Sequence, residues 1–310
     1  MTFYFIEYLS RKINTYSLFL VRTAILLLVL TPLSLGAQFY RGSHQIFGKN
    51  RIQYVDKNWE HYDFEKFNIY FYDAGKDLGV FAAKTAKEGL REVEKKFDYR
   101  LRGKAYILVF SNLEEFRGSN IGLGTGEEQN IGGTVSVSGN KIFVYFDGNH
   151  ARLEKQVKEG LARMLMFQMG YGEDWKEVIK NTALLNIPEW YSEGVVSYAV
   201  NGNTPEIINT IRDVVMRGDF DNISRLEKNE AKAAGHAIWN YIAQIYGEEV
   251  IPNIVYMTKI SRNIENGLLF VLGISMDRLL KDAGDYYKSK YMMYDRAATV
   301  PRGEKQEMRS

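Results

Sequence analysis

Strand-type segments gather between residues 51 and 146, helical periodicity takes over from 152 to 294, and no internal repeat is evident. Together these observations predict an α+β fold, a single unit in which a strand-rich lobe precedes a helical one. Residues 51–56 and the run Phe-Asn-Ile-Tyr-Phe-Tyr at 67–72 are β-rich in composition, and Ala-Tyr-Ile-Leu-Val-Phe at 105–110 reads as a buried strand. Between the last two, Leu78, Phe81, Ala82, Ala86, Leu90, Val93 and Phe97 recur at three- and four-residue steps, which predicts one amphipathic helix over 75–99. A short helix near 113–116 leads into glycine-rich sequence. Residues 133–138 and 141–146, joined through Gly139-Asn140, then read as a hairpin. The helices that follow are expected to break at 170–172, 186–188, 202–205, 218–222, Gly247, Pro252 and Gly273.

Of the 310 residues, 45% are hydrophobic and 25% charged, the composition of a folded globular protein rather than a disordered or collagenous one. With no cysteine there is no disulfide, no thiolate metal site and no cysteine nucleophile. The net charge of +2 resides in the first 37 residues, where Arg11, Lys12 and Arg22 face one acid, Glu7. The other 273 residues carry 37 basic and 37 acidic side chains, which argues against a nucleic-acid partner. The basic start, the apolar run 24–30 and the small residues ending at Ala37 have the layout of a signal peptide. The rival is a retained anchor, but Arg22 interrupts the stretch and the remaining core falls short of the roughly 20 residues a bilayer requires. The expected organisation is therefore a signal peptide at 1–37, an α/β lobe at 38–150, a helical lobe at 151–296 and a polar tail or linker at 297–310. The mature chain is expected to be exported, periplasmic or associated with the outer membrane or cell surface, with no integral span.

Two segments stand out for chemistry. One is the helix Leu153-Glu154-Lys155-Gln156-Val157-Lys158-Glu159-Gly160-Leu161-Ala162-Arg163-Met164-Leu165, with apolar residues 153, 157, 161, 164 and 165 turned to a core. The other is Ile187-Pro188-Glu189-Trp190-Tyr191-Ser192-Glu193-Gly194-Val195-Val196-Ser197-Tyr198, where a proline opens a helix bearing aromatic and acidic groups. Each alone reads as an ordinary amphipathic helix with a solvated charged face. The histidines, His44, His61, His150 and His236, lie too far apart for two imidazoles to share one helix face. His236 is expected to be partly buried on a helix over 231–246. Ser192 has no histidine at a triad-like spacing. The stretch Gly122-Leu123-Gly124-Thr125-Gly126-Glu127-Glu128 lacks the ending of a phosphate-binding loop and carries two carboxylates where phosphates would sit. The tyrosine-rich stretches 54–72 and 286–294 suit core or interface packing.

Taken in order, these segments resemble the peptidase MA-like family of gluzincin metalloproteases, in particular the Bacteroidota envelope proteins in which such a domain precedes a TolB-like β-propeller. The likeness runs from about residue 39 to 294. It is carried by Gly48-Lys49-Asn50-Arg51-Ile52-Gln53-Tyr54, the 67–72 run, the helix 153–169, Pro188-Glu189-Trp190-Tyr191-Ser192-Glu193-Gly194, and Gly235-His236-Ala237-Ile238-Trp239-Asn240-Tyr241-Ile242 with Tyr246-Gly247.

The resemblance implies a thermolysin-like two-lobed domain. It also implies a zinc site in active members, built from the two histidines of a His-Glu-x-x-His helix and a later glutamate, with the first glutamate as general base. The matching pentapeptide is Lys158-Glu159-Gly160-Leu161-Ala162, so Glu159 stands at the general-base position and Glu193 at the third ligand position, while Lys158 and Ala162 replace both histidines. An ammonium at Lys158 turned into the site would repel a cation and pair with Glu193 or Glu159, and Gly160 weakens the helix. The resemblance thus implies a binding or scaffold module of the cell envelope that has lost proteolysis and needs no cofactor. Its partners would be envelope or outer-membrane proteins, or an extended peptide paired to an edge strand at Gly133, Thr134, Val135, Ser136 and Val137. The alternatives are a zinc metalloprotease with an unconventional ligand set, recruiting His150 or His236, and a structural accessory domain whose old cleft is unused.

Overall fold

The computed structural model describes residues 57–72, 75–118, 136–138, 140–172 and 185–297. The signal peptide, the 48–54 run, the predicted strand 51–56, the loop 122–128, edge residues Gly133, Thr134 and Val135, and the tail from residue 298 lie outside them. The chain divides into two compact units, Met1–Arg51 and Ile52–Ser310, and everything described below belongs to the second.

The protein is a mixed α+β structure. Its strands are β1 (Trp59–Asp63), β2 (Phe67–Tyr72), β3 (Ala105–Phe110), β4 (Ser136–Ser138) and β5 (Lys141–Tyr145), in one sheet of order β1-β2-β3-β5-β4. The two edge strands run antiparallel to their neighbours, and the central β2, β3 and β5 run parallel. A parallel step needs a crossover element. For β2 to β3 that element is α1 (Lys76–Phe97), which closes with the backbone N–H of left-handed Asp98 donating to Glu94 and Lys95. Strand β1, outside the predicted set, is exposed along nearly its whole length. Its polar sequence therefore carries no buried-strand signature.

One sheet face, with Ile69, Ile107 and Val144, packs into the main helical core. The other, with Tyr72, Phe110, Phe143 and Tyr145, is covered by Phe116 of α2 (Leu113–Gly118). Alternation of side chains along each strand sends residues two apart to the same layer. The main core continues from the strands through Val157 and Leu161 to Trp239.

The helical part comprises α3 (His150–Tyr171), α4 (Glu189–Asn201), α5 (Pro205–Arg217), a 3₁₀ segment (Asp219–Arg225), α6 (Lys228–Tyr246), α7 (Val250–Ser261), α8 (Ile264–Leu272) and α9 (Met276–Ala297). Asn149 caps α3 by accepting from the Ala151 N–H at 2.9 Å and from Arg152, which satisfies donors that the first helical turn leaves orphaned. Thr204 and Pro205 open α5 in the same sense, and left-handed Gly218 and Gly273 close α5 and α8. The expected break at Pro252 does not occur, because Pro252 is the third residue of α7, where its missing N–H would have had no intrahelical partner. The interruption lies instead at Gly247–Glu249. Among the described residues no helix is long and apolar enough to cross a membrane.

Candidate functional site

Three helices bring the charged residues of the two motif segments together. Helix α3 is fixed to the sheet by Gln156, fully buried, whose amide accepts from the Tyr145 N–H at 3.0 Å and donates to the Tyr145 carbonyl at 2.9 Å. This side chain completes a backbone pairing that would otherwise be lost in the interior. Helices α4 and α6 cross at Gly194 and Gly235, where a methyl group on Gly194 would sit 2.6 Å from the Gly235 backbone and one on Gly235 would collide with the Trp190 carbonyl oxygen. Only hydrogen fits at this crossing. It is held further by Trp239 Nε1, which donates to the Tyr191 carbonyl at 3.0 Å, and by the Lys228 N–H, which donates to Glu189 at 3.0 Å.

The crossing delivers Glu193 from α4 and Lys232 from α6 to the face of α3 that carries Glu159 and Arg163. Arg163 grips Glu193 with both edges of its fork: Nε lies 2.9 and 3.1 Å from the two carboxylate oxygens and NH2 lies 2.7 Å from Oε2. The same NH2 lies 3.4 Å from Glu159 Oε2, one helical turn away. The other Glu159 oxygen accepts from Lys232 Nζ at 2.7 Å and from Asn201 Nδ2 at 2.8 Å. Glu159 is 2% exposed, yet its carboxyl is held below the usual range. Burial pushes it upward, and the charges of Lys232 and Arg163 with the two hydrogen bonds outweigh that cost. Burial alone would lower the Arg163 pKa; the carboxylates of Glu193 and Glu159 more than reverse this and raise it. Among the described residues, two cations and two anions thus meet in one cluster.

The network extends inward from Asn201, whose Nδ2 also donates to Ser197 Oγ at 3.2 Å; that oxygen lies 3.0 Å from His236 Nδ1. Both Ser197 and His236 are buried to within 1% of full enclosure, so this serine–histidine pair has no route to substrate. Burial pushes the His236 imidazole down to about 4; Ser197 opposes this, and the charges of Lys232 and Lys96 add to it. His236 is therefore a neutral core residue, more deeply enclosed than its sequence context predicts. His150 begins α3 and packs edge-on to Phe81 at 4.8 Å and against Phe146 at 4.9 Å. Neither contacts Glu159 or Glu193 directly in the hydrogen bonds described; His236 is linked to Glu159 only through Ser197 and Asn201. Ser192 Oγ donates to the Pro188 carbonyl at 3.3 Å, an i−4 bond within the start of α4.

Glu159 and Glu193 are brought together through Arg163, a residue the sequence reading did not single out. Lys158 does not turn to either of them. Its ammonium pairs with Glu92 on α1 at 3.1 Å and with Glu154 at 3.0 Å, and its methylenes pack over Gly89. Successive helix positions are rotated by about 100°, so the stripe of Lys158 and Ala162 faces α1 while Glu159 and Arg163 face α4. Of the edge residues, Ser136 and Val137 belong to β4, an edge of the sheet antiparallel to β5. Sequence reasoning missed Arg163, Lys232 and Asn201. The available signal was the polar series Gln156, Glu159 and Arg163, which repeats at helical spacing between apolar residues.

Beside the cluster lies a cavity of about 260 Å³, lined by Met166, Phe167, Tyr171, Ile187, Ser192 and Val196 together with the Arg163–Glu193 pair. Among the described residues, no group of three or more His, Cys, Asp or Glu side chains is placed to hold a metal ion. The donor set does not fit zinc, since Glu193 is engaged by the Arg163 guanidinium and Glu159 by that guanidinium and the Lys232 ammonium, with no imidazole beside either acid in the contacts given. In comparisons with known proteins, no family model matches the chain and no curated protein matches it.

Proposed function

We propose that this chain is an exported, catalytically inactive metallopeptidase-like module that works by binding proteins or extended peptide in the cell envelope. The observation that carries the reading is the position of Arg163, whose guanidinium sits between Glu159 and Glu193. A pair at i and i+4 on one helix, completed by a glutamate from a later helix, is the arrangement a gluzincin uses to hold zinc. Here the i and i+4 positions that meet Glu193 are Glu159 and Arg163, one residue beyond the register in which Lys158 and Ala162 replace the histidines. In this register Gly160 takes the general-base position, so that position has no carboxylate. A side-chain cation neutralises the acids where a metal would otherwise do so, and the fold keeps its cleft without the chemistry. Export is supported by the basic and apolar start of the chain, and peptide pairing by the edge position of β4.

The test is site-specific photocrosslinking in the native envelope, with the probe at Ser192 or Val137 and a control at exposed Asp213 on α5. The reading expects envelope proteins to be trapped uncleaved by the first two and not by the control. Zinc-dependent cleavage of an unfolded protein by the purified chain, abolished by Glu193→Ala, would contradict it in favour of an unconventional metalloprotease.

A further inference from the structure

We infer that the outer face of the α7–α8 hairpin is a self-association surface, on which a second copy of this chain packs with its own α7 antiparallel to the first. Each helix of the hairpin turns one face inward. Ile251, Ile254, Val255 and Thr258 of α7 are buried, and Thr258 Oγ1 lies 3.0 Å from the Tyr191 hydroxyl. Gly267, Leu268 and Leu272 are buried on α8, and Gly267 approaches α7 so closely that a methyl group there would collide with Thr258 Oγ1. On the side of each helix away from these contacts, where an amphipathic helix carries polar groups, α7 presents Tyr256, 60% exposed, and Ile260, 59%. There α8 presents Leu269, 46% exposed, and Phe270, 64%. At 150–250 Å² for a large aromatic side chain and somewhat less for an aliphatic one, these four leave roughly 400 Å² of apolar surface in water.

Spacing and charge select a second copy as the occupant. Glu249, Asn253, Tyr256 and Ile260 follow one another at steps of four, three and four residues, the spacing of a helix–helix seam. The seam is acidic at its start, where Glu248 and Glu249 are exposed, and basic at its end, where Lys259 is followed by exposed Arg262. Tyr256 stands near its middle, seven residues after Glu249 and six before Arg262. A two-fold axis at Tyr256 therefore sets each Arg262 opposite the other copy's Glu249, with the two tyrosines between them, so that one surface is complementary to itself. An anionic lipid surface would instead meet Glu249, and exposed Glu265 at the start of α8, as like charges. The apolar area sets the strength. It is about half of the roughly 800 Å² per partner of a standard interface, so the association is weak, with a dissociation constant on the order of 10–100 µM.

Sedimentation velocity of the full chain, from about 1 to about 200 µM, should show a reversible shift from monomer to dimer across that range. Tyr256→Ser combined with Phe270→Ser should stay monomeric throughout while keeping the circular dichroism spectrum of the parent, because both side chains are exposed. Glu249→Lys and Arg262→Glu should each weaken association roughly fivefold, since the two-fold axis makes every change twice, and the two together should restore it to the parental value. Restoration separates pairing between copies from damage to the helix, because each reversal also opposes the dipole of α7 and the two together oppose it more. A parent that is monomeric over the whole range, association unchanged in Tyr256→Ser with Phe270→Ser, or a double reversal as weak as the single ones overturns the inference. Vesicles of phosphatidylglycerol and phosphatidylethanolamine serve as the second probe. Binding to them by a parent that stays monomeric, lost in Tyr256→Ser with Phe270→Ser, overturns the inference in favour of a lipid surface.

Discussion

Arg163 bridges two facing acids, Glu159 and Glu193, as a fixed part of the chain. Arg163→Ala leaves Glu159 and Glu193 without their shared cation, and because the guanidinium is only partly buried the cost belongs at the lower end for a broken interior pair, about 3 kcal/mol in chemical denaturation at neutral pH. Arg163→Ala combined with Glu193→Gln should recover part of that loss, since the second change removes the stranded charge. His236 contributes a pH dependence of its own. Its folded-state pKa, about 4, lies below the ordinary imidazole value of 6.5, so between those values the unfolded chain binds more protons than the folded one. Stability is then complete above about pH 6.5 and falls as pH drops toward 4, by about 3 kcal/mol over the window. Glu159 adds to the same acid-side loss, because its lowered carboxyl stabilises the fold above the ordinary carboxylate range and loses that effect as it is protonated. Urea titrations at pH 7 and pH 5 should show the decline, and His236→Gln should make it shallower. At this scale the sequence was half legible. Glu159 and Glu193 were singled out by a family resemblance, but Arg163 looked like an ordinary exposed charge, and Lys232 lies 73 residues from its partner with no local pattern to announce it.

The elements were more readable than the contacts between them. Strands β2 and β3 match the predicted segments, because buried strands are continuous apolar runs, and α1 follows the three- and four-residue spacing of its core residues. Strand β1 was missed since its side chains are exposed, and Pro252 was misread because a proline in a first turn and a proline that breaks a helix look alike without a helix start to anchor them. The register of the motif on α3 was also beyond sequence reasoning, since one residue decides whether a side chain faces α1 or α4. What sets the facing is the crossing of α4 and α6 at Gly194 and Gly235, which brings Glu193 and Lys232 to α3. Gly235→Ala should therefore destabilise the protein by about 3 kcal/mol, since the clash is with backbone and cannot be relieved by a rotamer change. The same variant should disturb the Glu159 environment, which would be visible as a loss of amide hydrogen-exchange protection across α3 as well as α4 and α6. Protection changes confined to α6 would show that the crossing does not position the cluster.

For the molecule as a whole, a sheet with a main core on one face and a smaller aromatic cluster on the other is joined to a helical layer, in which the charged residues of α3, α4 and α6 meet. The even balance of charge that the composition indicated has a local counterpart in the cluster, where among the described residues two acids meet two bases. On the function proposed above, such a cluster would let a metallopeptidase-like framework serve binding without turnover. The most direct measurement is zinc content and zinc affinity, by elemental analysis and calorimetry, of the parent and two histidine variants. The parent should bind no stoichiometric zinc. Glu159→His with Arg163→His and Lys232→Gln should bind one zinc per chain and lose it on Glu193→Ala, whereas Lys158→His with Ala162→His should bind none, because those side chains face α1. Stoichiometric zinc in the parent, or zinc held through Glu193 by the Lys158→His and Ala162→His variant, would contradict both the cation-filled site and its register.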